Sequence, residues 1–205
     1  VITIIDYRTG NLNSIRNMLK KIGAPSAVAT SPDDVLRAGK LIIPGVGAFD
    51  AGMRRLEESG LIPALTEAVR ERHTPILGVC LGMQLLTTGS TEGTLAGLGW
   101  IDADTVRFDQ AKDPGLKVPH MGWNVASPVK PSVLLQDMPD EARFYFVHSF
   151  FVRCHKPEDR LLSVTHGATT FDAAFEHGHI RGVQFHPEKS HRFGMWLLRN
   201  FVERC

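Results

Sequence analysis

The stretch Pro75-Ile76-Leu77-Gly78-Val79-Cys80-Leu81-Gly82-Met83-Gln84 runs an apolar segment into a helical one through a glycine-flanked cysteine. Pro75–Val79 reads as a strand buried on both faces, and Met83-Gln84-Leu85-Leu86 as the helix that follows it. Glycines two residues before and after Cys80 give the G-x-nucleophile-x-G form of a strand–turn–helix elbow, with sulfur where serine oxygen is more familiar. The reason for the glycines is steric. The nucleophile sits in a strained backbone conformation, and side chains at either flank would collide with the neighbouring strand and helix. The N-terminal dipole of the helix would favour a thiolate at Cys80. An inert buried cysteine is the competing reading, since free thiols are among the most buried groups. The elbow context favours the nucleophile.

Outward from the elbow, the first half alternates strand and helix. Val1–Ile5 reads as a buried strand, and Leu12, Ile15, Met18, Leu19 and Ile22 fall on one helical face that stops at Gly23 and Pro25. Ser26–Thr30 is a second strand. Ser31-Pro32-Asp33-Asp34 then opens a helix, with Ser31 as N-cap and Pro32 at the first helical position. Leu41-Ile42-Ile43 is a third strand, and helical stretches around Met53–Glu58 and Pro63–Arg72 lead to the strand of the elbow. Doubly buried strands spaced by helices predict a parallel, doubly wound sheet. From Trp100 to Phe185 the alternation shortens and turn residues recur, as in Asp113-Pro114-Gly115 and Glu176-His177-Gly178. This predicts antiparallel strands at Trp100–Phe108, Val118–Ala126, Arg143–Val152, Leu161–Thr165, Phe171–Phe175 and Ile180–Gln184. A closing helix spans roughly Ser190 to Val202. The expected fold is α/β: a central, mostly parallel sheet flanked by helices, with additional antiparallel strands in the second half, in one domain over residues 1–205.

Composition excludes several classes. The 205 residues are 43% hydrophobic, too apolar for a disordered chain, and no apolar run approaches the ~20 residues of a membrane span. Basic and acidic residues balance at 23 against 22, which leaves no electrostatic footprint for nucleic acid. The opening Val1–Asp6 has neither a basic leader nor a small-residue cleavage site, so no signal peptide is expected. Cys80, Cys154 and Cys205 are odd in number and far apart, which speaks against disulfides and CxxC metal sites and for a reducing, cytoplasmic setting.

A nucleophilic thiol needs a base, and the base an orienting group. Of nine histidines, His186 is placed best: His186-Pro187-Glu188 directly follows Ile180–Gln184, a strand ending near the same sheet edge. Imidazole and carboxylate two residues apart can point the same way, with Pro187 fixing the turn. A solvated loop histidine is the plain alternative. A metal set of His186, Glu188 and His191 fits neither HExxH nor zinc-finger spacing, so no metal is expected. Pro44-Gly45-Val46-Gly47 follows the third strand, where doubly wound sheets place ligands. It is either a simple turn or a loop whose exposed N–H groups form an oxyanion hole. Cys154-His155 faces opposite sides of a strand and reads as structural. Phe49, Trp100, Trp123, Phe144, Phe146 and Phe150 read as core aromatics by default.

Together these segments resemble the class I, triad-type glutamine amidotransferases, through Gly78–Gln84 and the ending Gln184-Phe185-His186-Pro187-Glu188-Lys189-Ser190. Within that class, Pro44–Gly47, Pro119-His120-Met121-Gly122-Trp123-Asn124, Tyr145-Phe146-Val147-His148-Ser149 and the opening Ile5-Asp6-Tyr7…Gly10-Asn11-Leu12 look like the glutaminase subunits of imidazole glycerol phosphate synthase. Two stretches depart. Arg8-Thr9 stands where the pattern has a glycine, and Ser190–Met195 is closer to paralogues that supply N-acetyl-sugar amidotransferases.

The resemblance implies Cys80 as nucleophile, His186 as general base and acid, Glu188 as its orienter, and the N–H groups of Val46 and Leu81 as oxyanion donors. It also implies that Gly47, Gln84, Glu92, His148 and Ser149 bind glutamine, and that Trp123, Tyr145 and Lys189 face a partner and an ammonia passage. The implied partner is a (β/α)8-barrel cyclase in a heterodimer, or a sugar amidotransferase in the alternative, with no metal or organic cofactor and no nucleic acid or membrane contact. Another cysteine hydrolase, and a silent subunit that kept the fold, are the competing classes. The silent subunit would be expected to have lost a triad residue.

Overall fold

The computed structural model describes residues 1–205. In chain order its strands are β1 (Ile2–Ile5), β2 (Ser26–Ala29), β3 (Lys40–Gly45), β4 (Ile76–Cys80), β5 (Gly89–Ser90), β6 (Ala103–Arg107) and β7 (His120–Val125). They continue as β8 (Ser127–Pro128), β9 (Arg143–His148), β10 (Phe150–Cys154), β11 (Arg160–His166), β12 (Thr169–His177) and β13 (Ile180–Val183). The helices are α1 (Leu12–Lys21), α2 (Pro32–Leu36), α3 (Phe49–Glu58), α4 (Ile62–Thr66), α5 (Leu81–Leu85) and α6 (His191–Arg204), and a wider π turn extends α4 over Glu67–Glu71.

The main sheet runs β2-β1-β3-β4-β13-β12-β10-β6-β5, with β11 and β8 branching from β12. Its first five strands are mutually parallel. From β13 onward the pairing turns antiparallel, except for a short parallel β5–β6 contact. Helix α1 and the Phe193, Leu197, Leu198 and Phe201 face of α6 bury one side of the parallel block. Helices α2 to α5 cover the other. The expected N-cap is present as a capping box: Ser31 Oγ accepts the Asp34 N–H, and the Asp34 carboxylate accepts the Ser31 N–H.

Three expectations change. The single strand Arg143–Val152 breaks at Ser149 into β9, which pairs only with β7 in a separate ribbon, and β10, which enters the main sheet between β12 and β6. The break serves two sheets at once and turns His148, Ser149 and Phe150 toward a common cavity. Strand β13 is antiparallel to β12 but parallel to β4, so it completes the parallel block as well as closing the antiparallel one. Trp123 is not a core residue. It is 46% exposed and shares the outer face of β7 with Met121 and Val125, whereas Phe49, Phe144 and Phe146 are buried.

Candidate active site

Neighbouring strands β3, β4 and β13 end at one edge of the parallel block, with Gly45 level with Cys80 and Val79 level with Val183. Strands about 4.8 Å apart therefore deliver the Pro44–Gly47 loop, the Cys80 elbow and the His186 turn side by side. Cys80 takes φ 55° and ψ −113°, a conformation that costs an ordinary residue roughly 1–3 kcal/mol. The flanking glycines are needed for the reason expected. A Cβ at Gly78 would lie 2.7 Å from the Gly82 carbonyl oxygen, and one at Gly82 would overlap the Ile43 carbonyl. Leu81, the first residue of α5, has an N–H with no intrahelical acceptor.

The imidazole of His186 donates from Nδ1 to Glu188 Oε1 at 2.8 Å, with side chains 2% and 4% exposed. That bond leaves Nε2 free of other protein partners. Burial lowers the His186 pKa, but the nearby Cys80 sulfur and the Glu188 carboxylate, the latter through the Nδ1 hydrogen bond, outweigh it and push the value up to about 10. The turn is held from β9: the His186 N–H donates to the Tyr145 carbonyl at 3.0 Å, and the Tyr145 N–H donates to Ser190 Oγ at 3.0 Å. His191 packs with its ring centroid 5.4 Å from that of Trp123 and tilted by 57°.

A cavity of about 380 Å³ opens over Cys80. Val46, Gly47, Leu81, Gln84, Glu92, His148, Ser149, His186 and Lys189 line it, so the expected nucleophile, base, oxyanion and substrate residues converge. Glu188 stands behind His186 in the wall of a second, larger cavity of about 950 Å³, which it shares with Lys189 and Trp123. Lys189 Nζ lies 5.8 Å over the Tyr145 ring, and Tyr145 packs 6.2 Å from Trp123.

The model of the class-I glutamine amidotransferases matches residues 3–205. The chain belongs to that family. It is 51% identical over 203 residues to imidazole glycerol phosphate synthase subunit HisH 2 of Pseudomonas aeruginosa, covering 99% of both chains. It is 47% identical over 205 residues to the HisH 2 subunit of Methanococcus maripaludis, covering all of both. A crystal structure of a glutamine amidotransferase superposes with a TM-score of 0.76 at 17% identity, over 99% of this chain and 98% of that one, and it shares the fold.

In a glutamine amidotransferase the cavity must recognise an amino-acid end. Both N–H bonds of Gln84 Nε2 are already used, to the Phe150 carbonyl at 3.1 Å and to Gln184 Oε1 at 3.0 Å. Its Oε1 is left as an acceptor on the cavity wall. The Glu92 carboxylate accepts the Phe49 N–H at 2.9 Å through one oxygen.

The oxyanion loop is arranged differently from the sequence expectation. The Val46 N–H points at Thr9 Oγ1, 3.4 Å away, while the Thr9 hydroxyl donates to the Val46 carbonyl at 2.8 Å. Beneath the loop the buried Tyr7 hydroxyl donates to the Pro44 carbonyl. Thr9, Tyr7 and Gln184 went unassigned in the sequence reading. Gln184 alone carried a signal, as a polar residue at the end of an apolar strand, two places before the base.

Proposed function

We propose that this chain is the glutaminase subunit of an imidazole glycerol phosphate synthase. It hydrolyses glutamine to glutamate and ammonia and hands the ammonia to a cyclase subunit. The observation that carries the chemistry is the convergence of Cys80 and the His186–Glu188 pair on one cavity lined by Gln84 and Glu92. The names of the full-length relatives favour this acceptor over a sugar amidotransferase.

The glutamine ammonium sits between the Glu92 carboxylate and Gln84 Oε1, which presents the side-chain amide to Cys80. His186 Nε2 takes the thiol proton, and the sulfur attacks the amide carbon to give a tetrahedral oxyanion. The imidazolium then gives its proton to the leaving nitrogen, and ammonia departs. Glu188 holds the ring through Nδ1 and stabilises its charged form throughout. Water, deprotonated by His186, attacks the thioester, and glutamate leaves as the thiolate is regenerated. The Leu81 N–H serves the oxyanion. The Val46 N–H joins it once the Gly45–Val46 peptide turns away from Thr9, a bond that is long and hence weak. Losing one such donor typically costs about 3–4 kcal/mol of transition-state stabilisation.

Trp123, Tyr145 and Lys189 form the partner-facing cluster, and the larger cavity behind Glu188 supplies the outlet toward the acceptor. A cytoplasmic heterodimer with a (β/α)8-barrel subunit completes the reading; no helix is long and apolar enough to cross a membrane. The test uses the complex. Cys80→Ala abolishes glutamine-dependent synthesis and leaves ammonia-dependent synthesis intact. His186→Ala loses nearly as much and Glu188→Gln less, because an orienting group is partly dispensable. Appreciable glutaminase activity in Cys80→Ala would remove the nucleophile assignment.

A further inference from the structure

Beneath the nucleophile lies a second polar partner that the mechanism above does not use. Gln184 is fully buried, directly after β13, and its Nε2 sits 3.8 Å from Cys80 Sγ. An amide can present either end to a neighbour, so the identity of the atom facing sulfur must be argued. It follows from a main-chain carbonyl. The Phe150 carbonyl only accepts, so Gln84 must turn Nε2 toward it, and the same Nε2 donates to Gln184. Gln184 therefore offers Oε1 to Gln84 and Nε2 to the sulfur.

The Phe150 carbonyl also accepts His148 Nδ1–H at 2.8 Å, which makes His148 Nε2 an acceptor. His120 Nδ1–H fills it at 3.0 Å. His120 Nε2 in turn accepts from Asn124 Nδ2 at 3.3 Å, and the same Nδ2 donates to the Thr165 carbonyl at 2.9 Å. Every donor and acceptor from the β7 ribbon to the elbow thus has one consistent assignment, anchored at Phe150 and Thr165.

We propose that Gln184 is a further catalytic residue, an N–H donor to the Cys80 sulfur, oriented by the chain Asn124–His120–His148–Phe150 carbonyl–Gln84. Gln184 transfers no proton; the thiol proton goes to His186. Its hydrogen bond stabilises the thiolate before attack and again when the thiolate leaves the tetrahedral intermediate at deacylation. His120 and Gln84 act through it as positioning residues. The inference rests on the reading of Cys80 as the nucleophile.

The experiment follows the rate of Cys80 alkylation by iodoacetamide against pH in the full chain, read on the Cys80 peptide by mass spectrometry. The titratable groups around the sulfur are Tyr7, Glu92, His148, His186, Glu188 and Lys189. All are unchanged in Gln184→Met, which keeps the side-chain length and removes the donor. We expect the alkylation midpoint to move up by about one pH unit, the equivalent of a tenfold loss of thiolate stabilisation, with kcat for glutamine down by a similar factor and KM little changed. His120→Phe, which breaks the chain far from sulfur, moves the midpoint in the same direction by less. His120→Asn, whose amide N–H can stand in for Nδ1–H, restores it. These two decide the matter if Gln184→Met does not fold. A folded Gln184→Met with the parent's profile overturns the proposal, as does a parent-like His120→Phe where Gln184→Met is unfolded. A Cys80 that is unreactive in the parent chain sinks the glutaminase reading and this proposal together, which keeps the two failures distinct.

Discussion

At Gly47 the backbone takes φ +101° while a Cβ there would meet nothing within 4 Å, so the need for glycine is conformational and not steric. Gly47→Val would force a β-branched residue into a region costing it roughly 1–3 kcal/mol, and the loop would relieve that strain by moving its N–H groups. The expected result is a kcat for glutamine lowered by tenfold or more with KM within a few-fold, since the loop acts on charge that develops only in the transition state. A raised KM at unchanged kcat would make the loop a ground-state binding element. Residues with a steric reason for their identity were legible: Gly78 and Gly82 follow from the crowding at the elbow. Arg8 was legible only as an anomaly. It occupies φ 62°, the left-handed conformation that explains why a glycine is expected there, and Asp6 Oδ1 accepts its N–H. Thr9 was not readable as a site residue, and Gln184 only as a polar residue close to the base, because the direction of a hydroxyl or amide depends on partners that the fold alone brings near.

The β7–β9 ribbon carries a second consequence at the scale of elements. Its register places His120 opposite His148, and both rings are buried among Phe108, Phe146 and Phe171. Burial lowers the pKa of His120 to about 4, with the nearby His166 adding to it. Burial lowers that of His148 to about 3, against a hydrogen bond to the Phe150 carbonyl that works the other way. The unfolded chain therefore binds protons that the folded one refuses. Stability from this pair is fully present above the unfolded histidine value near 6.5 and is lost as pH falls toward 4, by about 1.4 kcal/mol per pH unit for each proton taken up. His179, lowered chiefly by burial, adds in the same direction. His186, with its raised value, works the other way at the top of this range, where the unfolded imidazole still takes up a proton the folded one already holds, and below about pH 5.5 it adds nothing to the slope. Urea unfolding between pH 7 and 4.5 should show that decline, and His120→Phe should make it shallower. A flat profile, or an unchanged slope in the variant, would contradict the burial argument. The pairing of His120 with His148 could not be read from sequence. The stretch Arg143–Val152 is rich in strand-forming residues and holds no Gly or Pro to interrupt it, and only its tertiary partners divide it at Ser149 between two sheets.

Over the whole molecule, the order of parallel strands explains why the site was predictable in outline. Segments leaving adjacent parallel strands at the same end must meet, and β3, β4 and β13 are adjacent even though Pro44, Cys80 and His186 are far apart in sequence. The same architecture connects the site to the Trp123–Tyr145–Lys189 cluster proposed to face the partner. Strand β9 holds the His186 turn through both backbone groups of Tyr145, whose ring lies between Trp123 and Lys189. Meanwhile the oxyanion loop rests with its Val46 N–H on Thr9, away from the nucleophile. A glutaminase that releases ammonia without an engaged acceptor loses it to solvent, so a resting loop of this kind has a chemical motive. The expected behaviour is a chain nearly idle alone and stimulated when the cyclase and its acceptor ligand are bound, because docking on Trp123 and Tyr145 favours the turned peptide. Thr9→Val removes the hydroxyl that accepts the Val46 N–H while keeping the shape of the side chain. It should raise the glutaminase rate of the isolated chain several-fold and shrink the stimulation by the partner in proportion. Trp123→Ala should act oppositely, with normal folding and basal rate but little stimulation. Glutaminase rates of the three proteins, each measured alone, with the cyclase, and with cyclase and acceptor ligand, test the coupling. Equal rates for the parent chain in all three conditions would show that the loop is not a switch and that Trp123 and Tyr145 only pack the ribbon.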